Sequence, residues 1–165
     1  TAAMRVHTED GVELLYYGSH AVRDQVGALF QYEFELADIT YDQKSPDGIV
    51  ARFRDGSTRT YGDPNQEHDA KLRSTIAAVR GEGNIACGLE TALSHTLCVL
   101  AMQQSTPEIV EFPEEIVRRG ELLSNGEPGN YVEDLVAQLV DCYERGVLPA
   151  EAGLGWAQAG KEITL

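Results

Sequence analysis

At Asp63-Pro64 the hydrophobic pattern changes its period, and no single element can span that change. Before this point apolar residues alternate with polar ones; after it they recur every three to four positions, so strand sequence gives way to helical sequence. Val6, and then Val12 to Tyr17, alternate around the turn dipeptide Asp10-Gly11, which predicts a hairpin. The strictest alternation begins at Phe30. Phe30, Tyr32, Phe34 and Leu36 fall on one face, while Gln31, Glu33 and Glu35 fall on the other, predicting a strand with one apolar and one carboxylate-rich side. Ile49, Ala51 and Phe53 then alternate with Val50, Arg52 and Arg54. The Asp55-Gly56 turn follows, and Thr58, Thr60 and Tyr61 complete a second hairpin.

Beyond the switch, His68, Leu72, Ile76 and Val79 predict an amphipathic helix over residues 65–80, with Asp63 as N-cap before Pro64 and Gly81 as the stop. From Cys87 to Gln104 a second helix is apolar on more than half its circumference, which predicts burial between two layers until Thr106-Pro107 ends it. Ile109 to Phe112 reads as a short strand. Val132, Leu135, Val136, Leu139, Val140 and Tyr143 form the best helical stripe of the chain, closed by Gly146. Strands first, then helices with one more strand between them, predict a single α+β domain over residues 1–165. Its expected form is an open, predominantly antiparallel sheet with helices on one face.

A chain of 165 residues can bury a sizeable core without disulfides or a structural metal. Cys87, Cys98 and Cys142 are odd in number and widely spaced, which suits reduced core thiols. The formal net charge of −14 argues against nucleic acid or an anionic membrane as a partner, because both would be repelled at long range. No run of 18 apolar residues and no signal-peptide pattern occurs, so the expected location is the cytoplasm. Opening at Thr1 in strand-like sequence, the chain is compatible both with a fragment of a longer protein and with a natural stand-alone domain.

No nucleotide-binding, metalloprotease, hydrolase-elbow or calcium-loop motif is present in the sequence. The Gly81-Glu82-Gly83-Asn84 segment fits no phosphate loop, and Glu82 would repel a phosphate. Ser94 and His95 are adjacent on a helix and point about 100° apart, so they cannot pair as nucleophile and base. Cys87, Thr91, His95 and Cys98 do not complete a zinc ligand set, and no metal is predicted. Tyr16 and Tyr17 point to opposite sides of their strand, so one ring is expected in the core and the other toward solvent or a partner. An exposed apolar sheet face, too, calls for a cover from another domain or subunit.

The run Cys87-Gly88-Leu89-Glu90-Thr91-Ala92-Leu93-Ser94-His95, continuing to Ala101-Met102-Gln103-Gln104-Ser105, resembles the long helix in the C-terminal domain of the Gfo/Idh/MocA oxidoreductases. Further matches are Val12 to Ala21, Phe53-Arg54-Asp55-Gly56 with Tyr61-Gly62, and Gly146-Val147-Leu148-Pro149 with Trp156-Ala157. The resemblance runs from about residue 11 to the end. It implies the substrate-binding and oligomerisation domain of an NAD(P)-dependent oxidoreductase acting on a sugar, cyclitol or related polyol. The family's Rossmann domain, its Glu-Lys-Pro motif and its Asp-xxx-His element have no counterpart here. The resemblance therefore implies that NAD or NADP is held outside this chain, that the chain contains no catalytic residue, and that alone it is inactive. It further implies a homo-oligomer formed through the sheet face, with Glu90 and His95 in the substrate groove. The alternative is a stand-alone, non-enzymatic binding or assembly module that dimerises through its open sheet.

Overall fold

The computed structural model describes residues 1–65 and 68–165. Strands β1 (Ala2–His7) and β2 (Glu13–Gly18) form one antiparallel hairpin. A four-stranded antiparallel sheet runs in sequence order through β3 (Leu29–Glu33), β4 (Ala37–Asp42), β5 (Ile49–Phe53) and β6 (Thr58–Gly62). Helices α1 (Ala70–Val79) and α2 (Leu89–Ser105) follow, then a second two-stranded sheet of β7 (Val117–Glu121) and β8 (Pro128–Val132), then α3 (Leu135–Arg145). The chain divides into two compact units, one of residues 26–88 and one of residues 1–25 with 89–165. The class is α+β, with antiparallel sheets and, among the described residues, three α-helices.

One open sheet was expected; three separate sheets are found among the described residues. The reason is local closure. Each predicted hairpin is shut by its own tight turn, so its strands pair with their sequence neighbours. At the first turn Gly11 takes φ +86° and Thr8 N–H donates to Val12 O at 2.9 Å. At the second, Gly56 takes φ +88° and Phe53 N–H donates to Ser57 O at 2.9 Å. Asp55 reinforces that turn by accepting from the Ser57 amide at 2.8 Å, and hydrogen bonds from Ser57 hold its carboxyl below the ordinary aspartate range.

In residues 26–88 the register brings Phe30 opposite Tyr41, Tyr32 opposite Ile39, Ile39 opposite Ala51 and Ala51 opposite Arg59. These residues share one face. Gln31, Glu33, Asp38 and Arg52 occupy the other, so the expected division into an apolar and a carboxylate-bearing side holds as far as Glu33, whereas Phe34, Glu35 and Leu36, expected to continue the strand, form the turn into β4. β4 is an element the sequence reading did not place, although Ala37, Ile39 and Tyr41 alternate as a strand should. Ala37, Tyr41, Val50 and Ala51 are buried here.

The helix expected over residues 65–80 occupies only Ala70–Val79. Residues 66 and 67 of that span lie outside the described residues. Asp63 is not its N-cap: its carboxylate accepts from the Asn65 amide at 2.9 Å and from the Tyr41 hydroxyl at 3.2 Å, holding a turn at the sheet edge. No residue of α1 is buried, so the helical cover expected on one sheet face is missing in this unit.

In the other unit, α3 buries Leu135 and Cys142, and Val132 is buried with them. Val132, counted in the predicted helical stripe, closes β8 instead. Gly146 ends α3 in the left-handed conformation at φ +63°, with its N–H donating to Tyr143 O and the Val147 N–H donating to Cys142 O. The expected strand Ile109 to Phe112 is irregular; Phe112 packs its ring 5.2 Å from Trp156, while Ile109 stands exposed. Burial of α2 was also expected and is not found. None of its residues is buried, and Leu89 at its start is 93% exposed. An all-round apolar helix needs layers on two sides, and no element of this unit supplies them. Of the cysteines, only Cys142 is in the core; Cys87 is exposed and Cys98 half-buried, all three as free thiols. Among the described residues, no helix is long and apolar enough to cross a membrane.

Candidate functional site

The first hairpin ends where chemistry-bearing side chains gather. At Gly18, β2 stops because the Ser19 hydroxyl accepts from the Ala21 amide at 3.0 Å, a side-chain turn that diverts the chain. The Thr1 and Ser19 hydroxyls are hydrogen-bonded at 2.8 Å. Val132 N–H then donates to Ala21 O at 2.9 Å, and Leu123 N–H donates to Arg23 O at 2.8 Å, tying this loop to the β7/β8 hairpin. Arg23 adds a hydrogen bond to Glu121 O and lies 5.7 Å above the Tyr131 ring. Between these walls lies an open dish of about 500 Å³, lined by Tyr16, Gly18, Ser19, His20 and Asn130 together with Thr1.

The opposite side of β2 is anchored. Tyr17 points away from Tyr16, and its hydroxyl reaches the carbonyls of Val147 at 3.0 Å and Cys142 at 3.2 Å. Its ring meets Tyr143 edge-on at 6.3 Å. Burial, chiefly, pushes the Tyr17 hydroxyl above the ordinary tyrosine range. On β1, the Arg5 guanidinium grips both carboxylate oxygens of Glu151 and donates to Gly146 O at 3.2 Å. Arg5 Nε lies 3.2 Å from Glu13 Oε2, an ion pair whose N–H is not aimed as a hydrogen bond. The Arg5 hydrogen bond holds the Glu151 carboxyl below its ordinary range, helped by the Leu148 amide. The hairpin is thus fixed to the C-terminal end of α3.

Among the described residues, no Asp, Glu, Lys or Arg side chain lines the dish. It offers an aromatic ring, a hydroxyl pair, an imidazole and an amide, all suited to a neutral hydrogen-bonding ligand. It is not built for nucleophilic catalysis. The Ser19 hydroxyl is turned to Thr1 and to the Ala21 amide, not to His20.

Glu90 and His95 both lie on α2, exposed, five positions apart and therefore about 140° apart around the helix. Neither lines the dish. Of the lining residues, Tyr16 and Ser19-His20 stand out in the sequence as side chains of interest, whereas Asn130 does not. It comes from β8, whose Pro128-Gly129 start lacks a strand signature.

A second candidate surface is the aromatic side of the four-stranded sheet. Phe30 stacks on Tyr32 at 4.8 Å and on Tyr41 at 5.2 Å, and Phe34 meets Tyr32 at 6.4 Å. Arg59 lies 4.8 Å over Tyr61. Tyr32, Phe34, Phe53 and Tyr61 are exposed.

The chain matches no protein-family model, no curated protein and no solved structure with which it was compared.

Proposed function

We propose that this chain is the C-terminal substrate-binding and oligomerisation part of an NAD(P)-dependent oxidoreductase of the Gfo/Idh/MocA type, acting on a sugar, cyclitol or related polyol. The observation that carries the reading is the exposed aromatic sheet face, which is the kind of surface such a domain would press against a second copy. In a chain of net charge −14, the paired positions on this face hold no carboxylate; Arg59 is their one formal charge. Two copies could therefore meet here without placing acid against acid. The dish beside Tyr16, in which no Asp, Glu, Lys or Arg side chain lies among the described residues, supports the choice of a neutral, hydroxylated substrate.

The residues present do not fit a nicotinamide dinucleotide. Gly81 and Gly83, closely spaced glycines before α2, follow α1 and have open space around them rather than a strand–turn–helix cradle. In this reading the nucleotide sits on a part of the protein outside these 165 residues. Calorimetry should therefore detect no NAD(H) binding to the chain alone, and saturable micromolar binding would overturn the assignment.

Light scattering tests the interface. A dimer or larger in solution that Tyr32→Glu converts to monomers is the expected result; a wild-type monomer at high micromolar concentration removes the oligomerisation role. The same exposed face also favours the alternative of a non-enzymatic assembly module. The coding sequence upstream of Thr1 separates the two: a nucleotide-binding domain there supports the oxidoreductase, and a natural start at Thr1 supports the module.

A further inference from the structure

The Tyr16 ring occupies space that any side chain at position 18 would fill. A Cβ built on Gly18 would fall 2.9 Å from Cζ and 3.1 Å from Cε1 of Tyr16, with the phenol oxygen closer still. Tyr16 and Gly18 are two apart on one strand and so share a face. The glycine lets the aromatic ring fold down along the strand, where it forms part of the dish while remaining half exposed. The hydrogen-bonding fringe is set around that ring. Ser19 is pre-oriented by Thr1 and the Ala21 amide. Among the described residues, the His20 imidazole and the Asn130 amide make no hydrogen bond, which leaves them free for a ligand.

These facts select a ligand class. Among the described residues no cationic side chain lines the dish to meet a phosphate or carboxylate, and a purely apolar molecule would leave the imidazole and the amide without partners. A ligand with an apolar C–H face and a rim of hydroxyls satisfies both the ring and the fringe. The cavity volume lies within the range of roughly 300–1,000 Å³ usual for small-molecule sites. We propose that Tyr16, laid on Gly18, is the stacking platform for the ring of a neutral cyclic polyol, with Ser19, His20 and Asn130 binding its hydroxyls. This rests on the reading that the chain binds a polyol. It assigns the ligand to the dish and not to the α2 surface that carries Glu90 and His95.

The test is titration of the full 165-residue chain with myo-inositol, followed by amide NMR shifts, with acyclic sorbitol as comparator. Shifts should centre on Tyr16, Gly18, Ser19 and Asn130, and sorbitol should bind distinctly more weakly. Tyr16→Ala should cost about tenfold in affinity, and Tyr16→Phe should retain it. Gly18→Ala should act like Tyr16→Ala. The atoms it displaces are the tip of a flexible side chain, so the ring is re-aimed while the strand stays folded, which circular dichroism would verify. Shifts confined to the Glu90–His95 stretch would overturn the dish while sparing the polyol reading. Sorbitol binding as tightly as myo-inositol would overturn the stacking role. No response to myo-inositol, glucose or galactose would overturn both the platform and the polyol-binding function.

Discussion

Helices α2 and α3 belong to the same compact unit, yet the longer and more uniformly apolar one is the one that is not seated. α3 has 11 residues and one apolar stripe, and it buries Leu135 and Cys142 completely. α2 has 17 residues and buries none. What differs is anchoring. The C-terminal end of α3 receives Tyr17 on the Cys142 and Val147 carbonyls and Arg5 on the Gly146 carbonyl, and Trp156 donates to Gln138 at 2.6 Å. α2 is tied at its last residue, where Ser105 and Lys161 exchange hydrogen bonds. Apolar content alone does not seat a helix. A contrast between faces gives it one orientation, and backbone carbonyls at its end give partners a fixed place to hold.

The comparison breaks most easily at Leu135. With no exposed surface, its truncation to Ala should cost about 2.7–5 kcal/mol, read as a shift of the urea unfolding midpoint at constant slope. A loss below about 1 kcal/mol would mean that α3 is no better seated than α2. Tyr17→Phe comes next. It removes the one hydroxyl that reaches both the Cys142 and Val147 carbonyls while keeping the ring against Tyr143, so a loss of about 1–2 kcal/mol is expected by the same measurement. No change would show that the hairpin does not hold the helix.

The parts of this contrast that could be read in advance were the local ones. The Asp10-Gly11 and Asp55-Gly56 turns, the two-sided strand at Phe30–Glu33 and the stop at Gly146 each follow from a short window in which one face or one φ angle is demanded. β4 was legible too, since Ala37, Ile39 and Tyr41 alternate, but the Glu35-Leu36 stretch runs the preceding alternation on without a turn residue. The Ile109–Phe112 apolar run looked like a strand because period cannot show that a segment lacks a pairing neighbour. The dish was legible only in pieces. Tyr16 and Ser19-His20 are conspicuous, but Asn130 arrives from over a hundred residues away through the Val132–Ala21 hydrogen bond, which no spacing encodes.

The Arg5–Glu151 contact sharpens the comparison through pH. The folded state holds the Glu151 carboxyl below its ordinary range, chiefly through the Arg5 hydrogen bond. A depressed carboxylate contributes stability at pH above its unfolded value and loses it as pH falls through the folded value. The difference in stability between wild type and Glu151→Gln should therefore be constant at neutral pH and shrink below roughly pH 4.3. Because the pair is partly exposed, the neutral-pH difference should not exceed about 1 kcal/mol. A difference that persists unchanged into strong acid would remove the ion pair from the account of how the hairpin grips α3.

The smallest effect is expected on α2 itself. Leu93 is 54% exposed in the second turn of the helix, so Leu93→Gln exchanges a half-solvated isobutyl group for a polar chain of similar helix propensity. The expected change is within about 0.5 kcal/mol at low protein concentration, where only the chain's own contacts count. The same pair of proteins compared at high concentration separates two meanings of that exposure. If wild type gains stability with concentration and Leu93→Gln does not, α2 is covered by another copy, and its all-round apolar surface is explained by association. If both are concentration-independent and the substitution still costs more than about 1.5 kcal/mol, α2 is packed within the single chain in solution, and the contrast drawn with α3 fails at its root.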